Sequence, residues 1–74
     1  MKIKLDTLEN ASDLVNLCKS FDEDVNIEHG RYIVDGKSLL GVISFMGNLV
    51  EVNIVTDNEV IKNRFMISME ELRG

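Results

Sequence analysis

The stretch DGKSLLGVISFMGN, Asp35 to Asn48, opens with Gly-Lys-Ser, the ending of a phosphate-binding loop, and then turns apolar. A phosphate loop reads G-x-x-x-x-G-K-[ST], because a glycine-rich turn of fixed length aims several backbone N–H groups at the phosphates. Here the interval from Gly30 to Gly36 holds Arg31, Tyr32, Ile33, Val34 and Asp35, one residue too many. Tyr32, Ile33 and Val34 favour a strand over a flexible cradle. The nucleotide-loop reading fails. The apolar run begins after Ser38, a good helix N-cap, and stops at Gly47-Asn48, a good C-terminal signal, so it predicts a short helix.

The flanks organise around that helix. Upstream, DVNIE alternates with Val25 and Ile27 on one face, and HGR turns the chain into YIV as a hairpin. Further upstream, Leu8, Ala11, Leu14, Val15, Cys18 and Phe21 recur at spacings of three and four, the stripe of an amphipathic helix capped by Thr7 or Asn10. Met1, Ile3 and Leu5 alternate with Lys2 and Lys4 as a strand. Downstream, LVEVNIV places Val50, Val52 and Ile54 on one face, with Glu51 and Asn53 on the other. Thr56 and Glu59 have the spacing of a capping box before a last helix carrying Ile61, Phe65, Met69 and Leu72.

The predicted order is βαββαβα. Each strand has one apolar face and each helix one apolar stripe. The fold class that satisfies both is α+β: an open-faced β-sandwich, its four-stranded antiparallel sheet covered on one face by three helices. Lys2, Lys4, Glu51 and Asn53 then belong to the face that meets water.

With 74 residues, the chain predicts a single domain spanning 1–74. A domain of this size buries only about 60% of its unfolded surface, so modest stability is expected. Its net charge of −5 and the lack of a basic cluster argue against a nucleic-acid partner. MKIKLDTLEN has no apolar core of a signal peptide, and no run approaches the roughly 20 residues of a membrane span. A cytoplasmic protein without membrane partners is expected. Cys18 is the only cysteine and reads as a buried apolar residue; His29, in EHGR, reads as a surface-turn residue. No metal-ligand set, Ser/His/Asp set or paired carboxylates stand out, so neither an enzyme nor a bound cofactor is expected. Asp22, Glu23 and Asp24 read as a solvated turn.

The element order, the length and the segment Lys37-Ser38-Leu39-Leu40-Gly41-Val42-Ile43-Ser44 resemble HPr, the histidine-containing phosphocarrier of the bacterial phosphoenolpyruvate-dependent sugar phosphotransferase system. In Gram-positive HPr proteins the segment reads K-S-[IL]-[ML]-G-V-M-S, and its first serine is the target of an ATP-dependent kinase. CKSFDEDVNIE also looks like the family's end of helix one and second strand. The resemblance implies that Ser38 is the regulatory serine, and that Leu39, Leu40 and Ile43 form an exposed apolar patch touching partner proteins. The family's carrier motif is G-[IL]-H-A-R-P at the start of helix one. Counting back without gaps from Phe21, Thr7, Leu8, Glu9 and Asn10 fall in the slots of His, Ala, Arg and Pro.

A phosphohistidine needs an imidazole nitrogen and positive surroundings. Thr7 offers a hydroxyl without a base, and Glu9 puts negative charge where the family has an arginine. No phosphotransfer from phosphoenolpyruvate is expected. Two readings remain. In the first, the protein is similar to the catabolite-repression HPr-like proteins, and phosphorylation of Ser38 by HPr kinase switches binding of Leu39, Leu40 and Ile43 to a transcriptional regulator. In the second, Ser38 is an ordinary helix cap, the three apolar residues are core, and the domain is an unphosphorylated scaffold, as a homodimer or in a larger complex.

Overall fold

Residues 1–73 are described by the computed structural model of the chain. Alternation produces β1 (Lys2–Lys4), with Ile3 buried between two exposed lysines. The heptad-like stripe produces α1 (Leu8–Lys19), which buries Ala11, Leu14, Val15 and Cys18. The hairpin is β2 (Val25–His29) and β3 (Tyr32–Asp35), and after it come α2 (Leu39–Ile43), β4 (Leu49–Ile54) and α3 (Glu59–Arg73). The four strands pair antiparallel in the order β1-β4-β2-β3, so β1 and β3 are the two edges. The expected α+β open-faced sandwich is the observed architecture.

Register follows from burial. Ile3 pairs with Val50, and Ile27 pairs with both Val52 and Val34, so these apolar side chains, drawn from all four strands, share the helix-covered face. A one-residue slip would carry this entire set into water. Phe65 and Met69 close the core from α3. On the opposite face Lys2, Lys4 and Asn53 are exposed, and Asn53 Nδ2 donates to Glu28 Oε2 at 2.8 Å. Glu51 is half-buried there, and the hydrogen bond from the Met1 ammonium holds its carboxyl below the ordinary glutamate range.

Two glycines have definite work. Gly30, at φ +60°, is the first central residue of the two-residue turn between His29 and Tyr32, where a positive φ matches the strand twist. Gly36, the glycine of DGKS, donates to the Val25 carbonyl at 2.7 Å. A Cβ at Gly36 would lie 3.1 Å from Cys18 Sγ, from Val25 Cγ1 and from the Val25 carbonyl oxygen. The residue that imitates a phosphate loop is therefore a point of close packing between β3, β2 and α1. Gly36→Ala is expected to lose about 1–3 kcal/mol of stability through overpacking, read as a lower denaturant midpoint with an unchanged slope.

Four sequence expectations need correction. Leu8 is 59% exposed and not part of the core stripe. It is the first helical residue, and helical side chains lean toward the N-terminus, so it projects off the end of the layer. The box between Thr56 and Glu59 does not form. Asn58 stands nearer the helix start, and its Oδ1 accepts from the Val60 and Ile61 N–H groups at 2.9 and 3.3 Å, while Thr56 Oγ1 accepts from the Asn58 N–H. The helix after Ser38 has only five residues before the chain turns through Ser44 to Gly47. His29 is the last residue of β2, half-buried with its ring 5.7 Å from that of Phe45, and not a free turn residue.

Cys18 is fully buried, as expected. Burial is the main force that pushes its thiol from 9.0 up to about 12, with the Asp35 carboxylate adding to it. An acid with a raised folded pKa loses stability as pH climbs past its unfolded value, because the unfolded chain releases its proton first. Stability should thus fall progressively above pH 9.0. Denaturant midpoints measured across that range should fall less steeply in Cys18→Ala, and an equal slope in both proteins would refute the assignment.

Candidate functional site

Asp35 to Ser38 form a tight turn that delivers Ser38 to the start of α2. Asp35 Oδ1 accepts from the Lys37 N–H at 2.9 Å, and the Asp35 carbonyl accepts from the Ser38 N–H at 3.0 Å. Ser38 is extended, at φ −104° and ψ 111°, and its Oγ accepts from the Gly41 N–H at 3.2 Å. It is the N-cap that its sequence position predicts. Ser38 is half-buried, and Lys37 precedes it in the chain.

The first turn of α2 divides its apolar residues between core and water. Val42 is fully buried, whereas Leu39 is 38% and Leu40 is 83% exposed; Ile43 is half-buried. One face of a five-residue helix is enough to fill the space above β3, so the residues on its other side have nothing to pack on. Leu39 and Leu40 are therefore not core, and they stand next to Ser38 in the chain. Leu39 and Leu40 thus add exposed apolar surface next to the cap.

Thr7 occupies the start of α1. Its Oγ1 accepts from the Asn10 N–H at 3.1 Å, and Asn10 Oδ1 accepts in return from the Thr7 N–H at 3.2 Å. This reciprocal pair is a capping box, with Asn in place of the usual Glu or Gln. Both Thr7 and Asn10 thus act in the cap. Exposed Asp6 and Glu9 flank Thr7, so negative charge surrounds the one hydroxyl at this helix end.

Thr7 and Ser38 are at opposite ends of the helix layer. Leu5 bonds Asn48 and Gly47 at the end where α1 begins, whereas α2 begins at the end where β3 stops. The two helices pack side by side and antiparallel. His29 lies at the Thr7 end, its Nδ1 3.4 Å from the Leu49 carbonyl oxygen, one residue from the Asn48–Leu5 bond. The register of β2 on β4 brings His29 to the end of the sheet where α1 begins.

A cleft of about 370 Å³ borders β1, lined by Lys2, Lys4, Asp6, Asn10, Asp13 and Arg73 among others. Mixed charge lines it, and it does not include Ser38. Among the described residues no group of three His, Cys, Asp or Glu is placed to hold a metal ion, and no helix is long and apolar enough to cross a membrane.

No protein-family model matches the sequence, and no curated protein matches it either. Solved structures do match. The chain is similar to HPr-C-His from Thermoanaerobacter tengcongensis, with a TM-score of 0.75 and 20% sequence identity over 99% of this chain and 88% of the other. It is also similar to the phosphocarrier protein HPr from Bacillus anthracis str. Ames, with a TM-score of 0.64 and 17% identity over 99% and 89% of the two chains. The class defined by element order and layering is an open-faced α+β sandwich. Within that class, the fold is that of HPr.

Proposed function

We propose that this chain is a regulatory, non-carrier relative of HPr, a protein-binding module of the sugar phosphotransferase system and not itself an enzyme. The observation that carries the reading is Leu40, 83% exposed and two residues from a serine that caps the same helix. A phosphoryl group on Ser38 would meet the free N–H groups of the first helical turn and the Lys37 ammonium, and would add negative charge at the border of the Leu39, Leu40 and Ile43 surface. In this proposal HPr kinase is the enzyme that modifies Ser38, and a transcriptional regulator is the partner that reads it, in the bacterial cytoplasm. Loss of carrier function is supported by the α1 cap: Thr7, Glu9 and Asn10 put a committed hydroxyl, a carboxylate and an amide where phosphotransfer needs an imidazole and cations.

Intact-mass spectrometry with site mapping tests both halves. Incubation with ATP and HPr kinase should add one phosphoryl group, on Ser38, and Ser38→Ala should add none. Incubation with phosphoenolpyruvate and the first enzyme of the phosphotransferase system should add nothing. No mass gain with kinase, while authentic HPr is modified in the same tube, would leave the unphosphorylated-scaffold reading. A phosphoryl group on Thr7 or His29 would overturn the non-carrier assignment.

A further inference from the structure

The two sheet edges differ in what they present to a second copy of themselves. An antiparallel pairing of β1 with β1 of another molecule, centred on Ile3, sets Lys2 against Lys4 twice. Like charges directly opposite are destabilising, and lysines of this kind blunt an edge. β3 is built the other way. Centred on Ile33, the same two-fold pairing sets Ile33 against Ile33 and Tyr32 against Val34 twice, and brings Arg31, in the turn that precedes β3, beside Asp35 at each end. The cross-strand pairs are then apolar or aromatic with β-branched, and the residues that flank them carry opposite charge, the combinations that stabilise a sheet.

The backbone is placed for it. Gly36 donates inward to the Val25 carbonyl, and in an antiparallel ladder inward groups alternate with outward ones. Tyr32 and Val34 thus bond β2, and the N–H and C=O of Ile33 point away from the sheet. Ile33 is 62% and Tyr32 is 59% exposed. Ile33 and Leu49 are exposed apolar residues on a face that also bears Asn26, Glu28, Glu51, Asn53 and the lysines, and of the two only Ile33 is on an edge strand. The Arg31 guanidinium stacks over the Tyr32 ring at 5.6 Å, and Asp35 has one carboxylate oxygen bonded to the Lys37 N–H.

We propose that β3 is a self-association edge: two copies of this chain join β3 to β3 antiparallel, with Ile33 on the two-fold axis, to make a continuous eight-stranded sheet. The inference stands apart from Ser38 phosphorylation. The interface is small, and dimerisation is weak and concentration-dependent.

Sedimentation equilibrium of the unmodified protein up to about 1 mM should give a monomer–dimer equilibrium. Arg31→Asp and Asp35→Arg, each alone, set like charges across the seam and should weaken it about tenfold or more. Mixed in equal amounts, the two variants should associate again, because the carboxylate introduced at position 31 faces the guanidinium introduced at position 35. Ile33→Lys should also abolish the dimer. Arg31 and Ile33 are exposed, so their variants test the seam even where Asp35→Arg, which loses the Lys37 cap, fails to fold. Monomer mass at every concentration would overturn the proposal. A dimer insensitive to Arg31→Asp and Ile33→Lys would also overturn it, by placing the interface elsewhere.

Discussion

Phe65→Ala is expected to remove about 3–5 kcal/mol of folding stability, the usual loss for a buried aromatic truncated to alanine. The ring is only 3% exposed and meets Phe21 edge-to-face, with centroids 5.2 Å apart and planes at 80°. Phe21 follows the end of α1 and carries the Arg64 guanidinium over its own ring at 5.5 Å, so the pair ties α3 to the far end of α1. A chain of 74 residues at roughly 0.05–0.15 kcal/mol per residue holds about 4–11 kcal/mol in total. The substitution therefore takes from about a quarter to all of it, and the denaturant midpoint read by circular dichroism should fall by a matching share. Met66→Ala, at the exposed neighbour, should stay within about 0.5 kcal/mol of the parent protein. Equal losses at the two positions would mean that α3 is not anchored through Phe65.

Much of this fold is legible in the sequence, because the period of the apolar residues changes at each element boundary. Ile3, Val25, Ile27, Val50 and Val52 are inward at the strand positions that alternation assigns, and Phe65 and Met69 are inward at helical spacing. What periodicity misreads lies at element ends. Leu8 keeps the spacing of the α1 stripe but sits on its first turn, where no sheet lies beneath it. Thr56 and Glu59 have the spacing of a capping box, yet Asn58 is closer to the first free N–H groups and takes them. His29 looks like a turn residue because Gly30 follows it; pairing with Tyr32 draws it into the ladder.

The candidate site divides in the same manner. Ser38 as an N-cap follows from its residue type and the apolar run after it. Whether Leu39, Leu40 and Ile43 belong to core or surface does not follow, since all three are apolar and the helix is too short to display a period. Only the packing of Val42 inward decides which side faces out. Gly36 and Lys37 mislead in isolation, for a glycine before a lysine and a serine serves phosphate binding in one context and close packing in another. The contact of Gly36 with Val25 and Cys18 lies between residues distant in the chain, which no local motif encodes.

Leu40→Glu separates docking from folding more sharply than any change at Ser38. Ser38→Ala removes the cap bond to the Gly41 N–H and should cost about 1 kcal/mol of stability, so a loss of phosphorylation there combines a missing hydroxyl with a looser helix. Leu40 is 83% exposed, and a polar replacement should leave stability within about 0.5 kcal/mol of the parent. If the apolar surface beside Ser38 is where kinase and regulator make contact, an anchor of this kind is worth about 2 kcal/mol or more. The rate constant kcat/KM for phosphorylation of Ser38 by HPr kinase should then fall by about thirtyfold, with Ser38 itself untouched. A carboxylate at this place also repels a partner surface selected for negative phosphoserine less than it disrupts an apolar one, so Leu40→Gln should fall by a similar factor. Unchanged kinetics in both variants, with the fold intact, would remove Leu40 from the docking surface and leave the serine cap without a recognised neighbour.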